Sequence, residues 1–260
     1  MDLLLAIPFG LLIGAVVGTV GGGGAILALP VLVYVLDQGV SPASTASLIV
    51  VALAASLGAG VQAASGHLCW RVALSFALPA ALGAYVGTLA NEAVAPRALM
   101  LAFVPVMLAA AATTYFRGYE ADKPKGRDEC PSTISVKGMG SGGVVGALTG
   151  FFGVGGGFLI VPALTFLLHL SMRRAIATSL AIITLTGLAA LASHLAAGSD
   201  PDLALTAVLA TSAGAGAISG SKLSRRLDPR TLARAFGVVV SLVAVFLLVD
   251  VLVLGGPPVG

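Results

Sequence analysis

A glycine-rich break occurs twice in this chain, each time inside an apolar stretch, and it narrows the available folds more than any other feature. The first copy places Gly14, Gly18 and the run Gly21–Gly24 ahead of Pro30. The second places Gly146, Gly150, Gly153 and the run Gly155–Gly157 ahead of Pro162. Subtracting Gly14 from Gly146, Gly18 from Gly150, Gly21 from Gly153 and Pro30 from Pro162 gives 132 each time. A duplicated, interrupted hydrophobic helix is the sequence pattern of binding sites in membrane proteins built from internal repeats.

Composition decides what surrounds these breaks. Of the 260 residues, 58% are hydrophobic and only 10% are charged, against about 25% charged in soluble domains. So little charge cannot coat a water-soluble globule. Unbroken apolar runs such as Val50–Gly60 and Leu180–Leu191 exclude a transmembrane barrel, whose strands alternate every second residue. The fold class is therefore all-α, a polytopic helical membrane protein with the lipid bilayer as its surroundings. The net charge of +3 does not point to nucleic acid, because no basic stripe pairs with aromatics. Basic residues in loops set topology instead. Met1–Ala25 lacks the basic start of a signal peptide and carries Asp2. Its equivalent lies mid-chain, so the first segment is expected to be part of the fold.

Five apolar segments fill the first half, near 3–19, 25–36, 43–64, 72–90 and 97–116. Five more follow near 134–151, 158–170, 175–197, 203–223 and 231–253. Late in the repeat, Gly83, Gly87, Pro96 and Phe103 match Gly216, Gly220, Pro229 and Phe236, where the offset has become 133. The expected organisation is membrane repeat 1 over 1–116, a linker over 117–133 and membrane repeat 2 over 134–260. The second segment of each half is short. About 12 residues rise only about 18 Å, too little to cross a hydrocarbon core of about 30 Å perpendicular to it. A re-entrant hairpin and a tilted, broken crossing both remain open.

Loop charge orients the chain. Lysine and arginine gather in the linker, at Arg173 and Arg174, and at Lys222, Arg225, Arg226 and Arg230. These regions are expected in the cytoplasm. Asp200 and Asp202 mark an outside loop, and in the first half the pattern reverses, with Asp37 outside and Arg71 inside. The two halves are thus expected to be inverted-topology repeats, with both termini outside a multi-pass inner membrane protein. Cys69 and Cys130 fall on the cytoplasmic side, where a disulfide is not expected.

Small residues recur every fourth position, as in Gly10, Gly14 and Gly18, or Gly142, Gly146 and Gly150, which lets helix backbones approach in lipid. Consecutive glycines build no such ridge. Each costs a helix about 1 kcal/mol against alanine, and backbone freed inside a membrane survives only in protein or beside a wet cavity. The candidate binding residues are therefore Gly21, Gly22, Gly23, Gly24, Gly153, Gly155, Gly156 and Gly157. Their N–H groups would form a concavity for an anion, unless the runs are simply tight turns. Thr45, Ser47, Thr178 and Ser179 lie near the start of the third segment of each half. They either complete that shell or cap helix ends. Gln62 and His194 align at the 132 offset and are candidates for gating or proton coupling, or for a bond to a neighbouring helix. His67 and His169 read as ordinary loop or interface residues.

No Asp or Glu sits at the centre of any span. Cation and metal carriers place carboxylates or histidine clusters there, so an anion is the better-matched cargo. No metal, cofactor or catalytic constellation is expected. Ser193 and His194 are chain neighbours and point apart on a helix.

The duplicated breaks resemble those of the TauE/SafE sulfite exporter family. The most specific part is Gly150–Pro162 followed by Ala177, Thr178, Ser179 and Leu180; the first half differs, with Thr19 and Val20 in place of Phe151 and Phe152. The resemblance implies a carrier that exports sulfite, sulfonates such as sulfoacetate, or related organic anions; separately, the inverted repeat would give alternating access by rocking one half against the other. A passive anion channel and a non-transporting scaffold are the alternatives, and a homodimer is compatible with the sequence.

Overall fold

The four-residue glycine spacings become two helix–helix seams, each joining one half of the chain to the other. The structure is a computed structural model that describes residues 2–22, 25–91, 96–120, 130–131, 136–152, 157–196 and 202–249. Ten helices follow in order: α1 (Asp2–Val20), α2 (Ala25–Pro30), α3 (Val40–Ala63), α4 (Trp70–Asn91), α5 (Pro96–Glu120), α6 (Val136–Phe152), α7 (Gly157–Phe166), α8 (Met172–Ala196), α9 (Leu203–Ser224) and α10 (Pro229–Val249). No strand occurs among the described residues. Five of the helices carry an apolar stretch long enough to cross a membrane: Pro42–Ala63, Trp70–Thr88, Met172–Ala192, Leu203–Ser224 and Pro229–Val249. The protein is all-α, as expected.

The first seam joins α1 to α9. A Cβ placed on Gly14 would overlap the Ala213 carbonyl, and one on Gly18 would overlap that of Ala217. Gly216 and Gly220 meet Leu11 and Ala15 in return. The second seam joins α6 to α4, with Gly146 on Ala80, Gly150 on Ala84, and Gly83 and Gly87 on Gly143 and Ala147. Adding 132 to the α1 positions and subtracting 133 from the α9 positions converts the first seam into the second. In each, residue numbers rise together, so the paired helices run parallel.

The third helices of the two halves run the opposite way. Gly187 of α8 packs on Ala52 of α3, while Gly58 of α3 packs on Leu180 of α8. The end of α3 therefore lies beside the start of α8. Arg174 Nη1 donates to Gly66 O (3.3 Å), and Arg173 Nη2 donates to Leu227 O (3.0 Å). The helix ends and loop carrying Arg71, Arg173, Arg174, Arg225 and Arg226 are thereby gathered at one end of the bundle. At the other end Tyr34 packs edge-on against Phe246, late in α10, with ring centroids 5.6 Å apart.

The short second segments differ from their expected outlines. The chain after Pro30 widens into a π-helical turn over Val31–Val35. Proline lacks the N–H that would continue the α-ladder, and here the register widens by one residue, a single-turn π segment. Pro162 sits at the matching position inside α7, which stays α-helical. Both segments end identically. Asp37 and His169, again 132 apart, hold positive φ of 48° and 54°. Gln38 N–H then donates to Leu32 O, and Leu170 N–H to Leu164 O. These are left-handed helix caps, so His169 has a backbone role. In addition, α5 runs on to Glu120, four residues into the expected linker.

The cysteine expectation is overturned. Cys69 and Cys130 form a disulfide, with Cα atoms 5.5 Å apart across 61 residues of chain. The fold itself brings them together: Cys69 sits just before α4, and Arg174 Nη1 reaches both sulfurs, 3.1 Å from Cys130 Sγ and 3.8 Å from Cys69 Sγ. Loop charge places residues on a side of the membrane and carries no information about which of them touch.

Candidate functional site

The two glycine breaks meet. A Cβ on Gly22 would overlap the Gly157 carbonyl, and one on Gly157 would lie 2.9 Å from Gly22 O and 3.2 Å from Ile183 Cδ1. Ile183 stands close to the midpoint of α8 (Met172–Ala196), so the crossing lies deep in the bundle. Gly22 and Gly157 are both buried. Their backbones touch because neither residue carries a side chain to hold them apart.

Gly21 approaches the start of α8. Its φ is +77°, a conformation that L side chains adopt at a cost. A Cβ there would lie 2.6 Å from Ser179 Oγ, 3.2 Å from Val161 Cγ2 and 3.5 Å from Ile176 Cα. Ser179 is thus brought to the first break. Gly23, Gly24, Gly153, Gly155 and Gly156 lie outside the described residues.

The hydroxyl candidates divide. Thr178 and Ser179 are fully buried, as is Thr45. Ser179 Oγ donates to Ile176 O (2.8 Å) in its own helix. Thr178 Oγ1 accepts from Cys69 N–H (3.3 Å) and so caps a backbone donor at the start of α4. Ser47 is half-buried, and its Oγ donates to Ser44 O (2.7 Å). Ser179 and Thr178 lie in the second turn of α8, whereas Thr45 and Ser47 lie in the second turn of α3. Because α3 and α8 are antiparallel, the two sets lie toward opposite ends of the bundle. The structure joins Gly21 with Ser179 and Gly22 with Gly157, and it leaves Ser47 bonded within its own helix.

Gln62 is 3% exposed and donates from Nε2 to Ser224 Oγ (2.9 Å) at the end of α9. Ser224 Oγ donates to Ser221 O (2.9 Å), and Ser221 Oγ donates to Gly18 O (3.3 Å) in the last turn of α1. This chain of polar groups runs from the basic end of the bundle to the helix that delivers the first glycine break. Sequence reasoning found Gln62 and missed Ser221 and Ser224. Their partners lie more than 160 positions away, and no local spacing announces such a pairing. His194 falls in α8, with its side chain outside the described residues.

Chemically, the crossing brings the Gly22 and Gly157 backbones together beside the buried Ser179 hydroxyl, with the Gly21 N–H engaged by Val17 O (2.8 Å) and Gln62 at the basic end. No group of three His, Cys, Asp or Glu side chains is gathered among the described residues.

Known proteins match this chain along nearly its whole length. A family model described as "Sulfite exporter TauE/SafE" matches residues 6–247. A "Probable membrane transporter protein" of Xylella fastidiosa strain 9a5c is 32% identical over 252 residues, covering 95% of each chain. Proteins carrying the same description from Methanocaldococcus jannaschii and Bacillus subtilis are 23% and 26% identical, covering 95% and 94% of this chain and 97% and 96% of their own. No solved structure matches.

Proposed function

This chain belongs to the sulfite exporter TauE/SafE family and is a membrane transporter, not an enzyme; from that premise we propose that it carries small anions, sulfur oxyanions or sulfonates foremost, outward across the inner membrane. The observation that carries this reading is the meeting of both glycine breaks at Gly22 and Gly157, midway along α8. Backbone N–H groups there hold the anion, and Ser179 adds a hydroxyl beside Gly21. With no fixed cation at the crossing the anion is held by dipoles alone, so its desolvation is only partly offset and release stays easy.

The antiparallel α3 and α8, together with the exchanged seams, support reading 1–116 and 134–260 as inverted repeats joined by a cytoplasmic linker. One half rocks against the other around the crossing, opening it to each side in turn. Gly23, Gly24, Gly153, Gly155 and Gly156 complete the proposed shell, and Thr45, Ser47 and Thr178 flank it. Gln62 and His194 stand at the two ends as gates.

The test is a melting screen of detergent-purified protein with sulfite, thiosulfate, sulfoacetate, sulfate, chloride and simple carboxylates at matched ionic strength. A ligand at a hundred times its Kd adds about 2.7 kcal/mol of stability. Selective stabilisation by a sulfur oxyanion or sulfonate is expected. Flux of that anion into liposomes should then be accelerated by unlabelled anion on the far side. A flat screen with no flux removes the carrier reading. Flux without such acceleration would make the protein a passive channel.

A further inference from the structure

A second polar site lies at the basic end of the bundle, apart from the glycine crossing. Gln62, His67, Arg173, Ser224 and Arg225 line a cleft whose apolar wall is Ile176 and Leu232. Its enclosed part is only about 10 Å³, room for about one water or one oxygen of an ion seated at the open mouth. Two of its lining residues are arginines, and no Asp or Glu lines it.

Arg173 supplies the decisive detail. Its Nη2 is engaged with Leu227 O (3.0 Å), which pins the guanidinium in place. Its Nε is buried and has no hydrogen-bond partner. A buried charged donor left unpaired is costly, and an oxyanion supplies the acceptor it lacks. Guanidinium groups suit planar and tetrahedral oxyanions because several donors lie in one rigid fork.

The cleft also has a route inward. Ile176 forms its wall, and the Cα of the same residue lies against Gly21. Ser224 lines the cleft and begins the hydrogen-bonded path through Ser221 to Gly18 O. An anion held here stands one side chain away from the first glycine break.

We propose that this cleft binds a small inorganic oxyanion, with Arg173 and Arg225 as its cationic anchors, as an antechamber to the glycine crossing. The antechamber role rests on the anion-carrier reading above, whereas the binding itself does not.

The experiment uses the full-length protein in detergent and in liposomes, with inorganic sulfate and sulfite as probes and chloride at matched ionic strength as control. Sulfate and sulfite should raise the melting midpoint, and chloride should not. Arg173→Gln and the exposed-site variant Arg225→Gln should each raise the half-saturating concentration about tenfold, the weight of one lost charge-assisted bond. Arg173→Lys should restore only part of the loss, since it keeps the charge without the fork. In flux assays the KM at the basic face should rise by a similar factor while the maximal rate changes little. Wild-type half-saturation in both Gln variants would overturn the site, as would an equal response to chloride. Oxyanion binding lost in these variants, in a protein that moves no anion, would keep the site and remove the carrier. Wild-type binding and flux in both variants would keep the carrier and remove the site.

Discussion

Gly22 tolerates no side chain, whereas Gly60, exposed on α3, tolerates one easily. The difference lies entirely in what each would meet. A Cβ on Gly22 lands on the Gly157 carbonyl, and one on Gly60 finds nothing within 4 Å. Gly22→Ala should therefore force the two breaks apart, lowering the melting midpoint and abolishing flux. Gly60→Ala should raise stability by about 0.5–1 kcal/mol, because alanine loses less backbone freedom in a helix. Gly21→Ala should fall between them. It costs about 1–2 kcal/mol for the left-handed conformation, with further crowding from Ser179 Oγ. Thermal unfolding of the three variants, followed by liposome flux, checks the order. Equal behaviour of Gly22→Ala and Gly60→Ala would mean that the breaks do not touch. At this scale the sequence separated ridge glycines from break glycines, because four-residue spacing and consecutive runs have different physical uses. It could not assign partners to hydroxyls. Thr178 takes a backbone N–H from Cys69, a residue 109 positions away, and only the folded chain brings that donor near. Nor could it reveal that Asp37 and His169 share one cap, since the shared property is backbone φ and the side chains differ.

Between elements, the seams of α1 with α9 and α6 with α4 are built from backbone contact, so their strength depends on small residues at every fourth position. Gly14 and Gly146 occupy equivalent positions, each beneath a carbonyl of the opposing helix, Ala213 and Ala80. Gly14→Leu and Gly146→Leu should reduce the amount of folded protein in the membrane to a similar degree, since each pries open one of two equivalent seams. Leu12 shares α1 with Gly14 and is exposed on the outer face of the bundle. Leu12→Ala should leave folded yield unchanged. Fluorescence-detected size-exclusion of solubilised membranes measures all three. A large loss from Gly14→Leu alongside none from Gly146→Leu would break the equivalence of the halves. The spacing made the ridges legible, but it did not say that each first helix would pack on the fourth helix of the other half. That pairing is non-local, and a stripe of small residues is complementary to any other such stripe. The π-helical turn after Pro30 escaped the sequence for a related reason. Pro162 at the matching position sits in an ordinary α-helix, so proline alone does not decide how its missing hydrogen bond is absorbed.

Across the whole molecule, charge and chain fold answer different questions, and the cysteine pair shows where they intersect. Helix direction gathers Arg71, Arg173, Arg174, Arg225 and Arg226 at one end, which is the arrangement expected of a cytoplasmic face. The same end holds Cys69 and Cys130, positioned to bond. Proximity comes from the fold, but oxidation is decided by the compartment. A bond closing a loop of this size contributes about 2–4 kcal/mol by restricting the unfolded chain. Air-oxidised protein should accordingly melt at a higher temperature than Cys130→Ser, and reductant should remove the difference. In cells the compartment decides whether that bond persists, and a reducing, cytoplasmic basic end would open it to two thiols. Acid-quenched cells, denatured and treated with a maleimide of high mass without reductant, should show both cysteines modified as a doubly shifted band. A band that shifts only after reductant would place the basic end on the oxidising side. That result would reverse the membrane orientation while leaving the bundle, its seams and the crossing of the glycine breaks as they are, because none of those contacts depends on which side faces the cytoplasm.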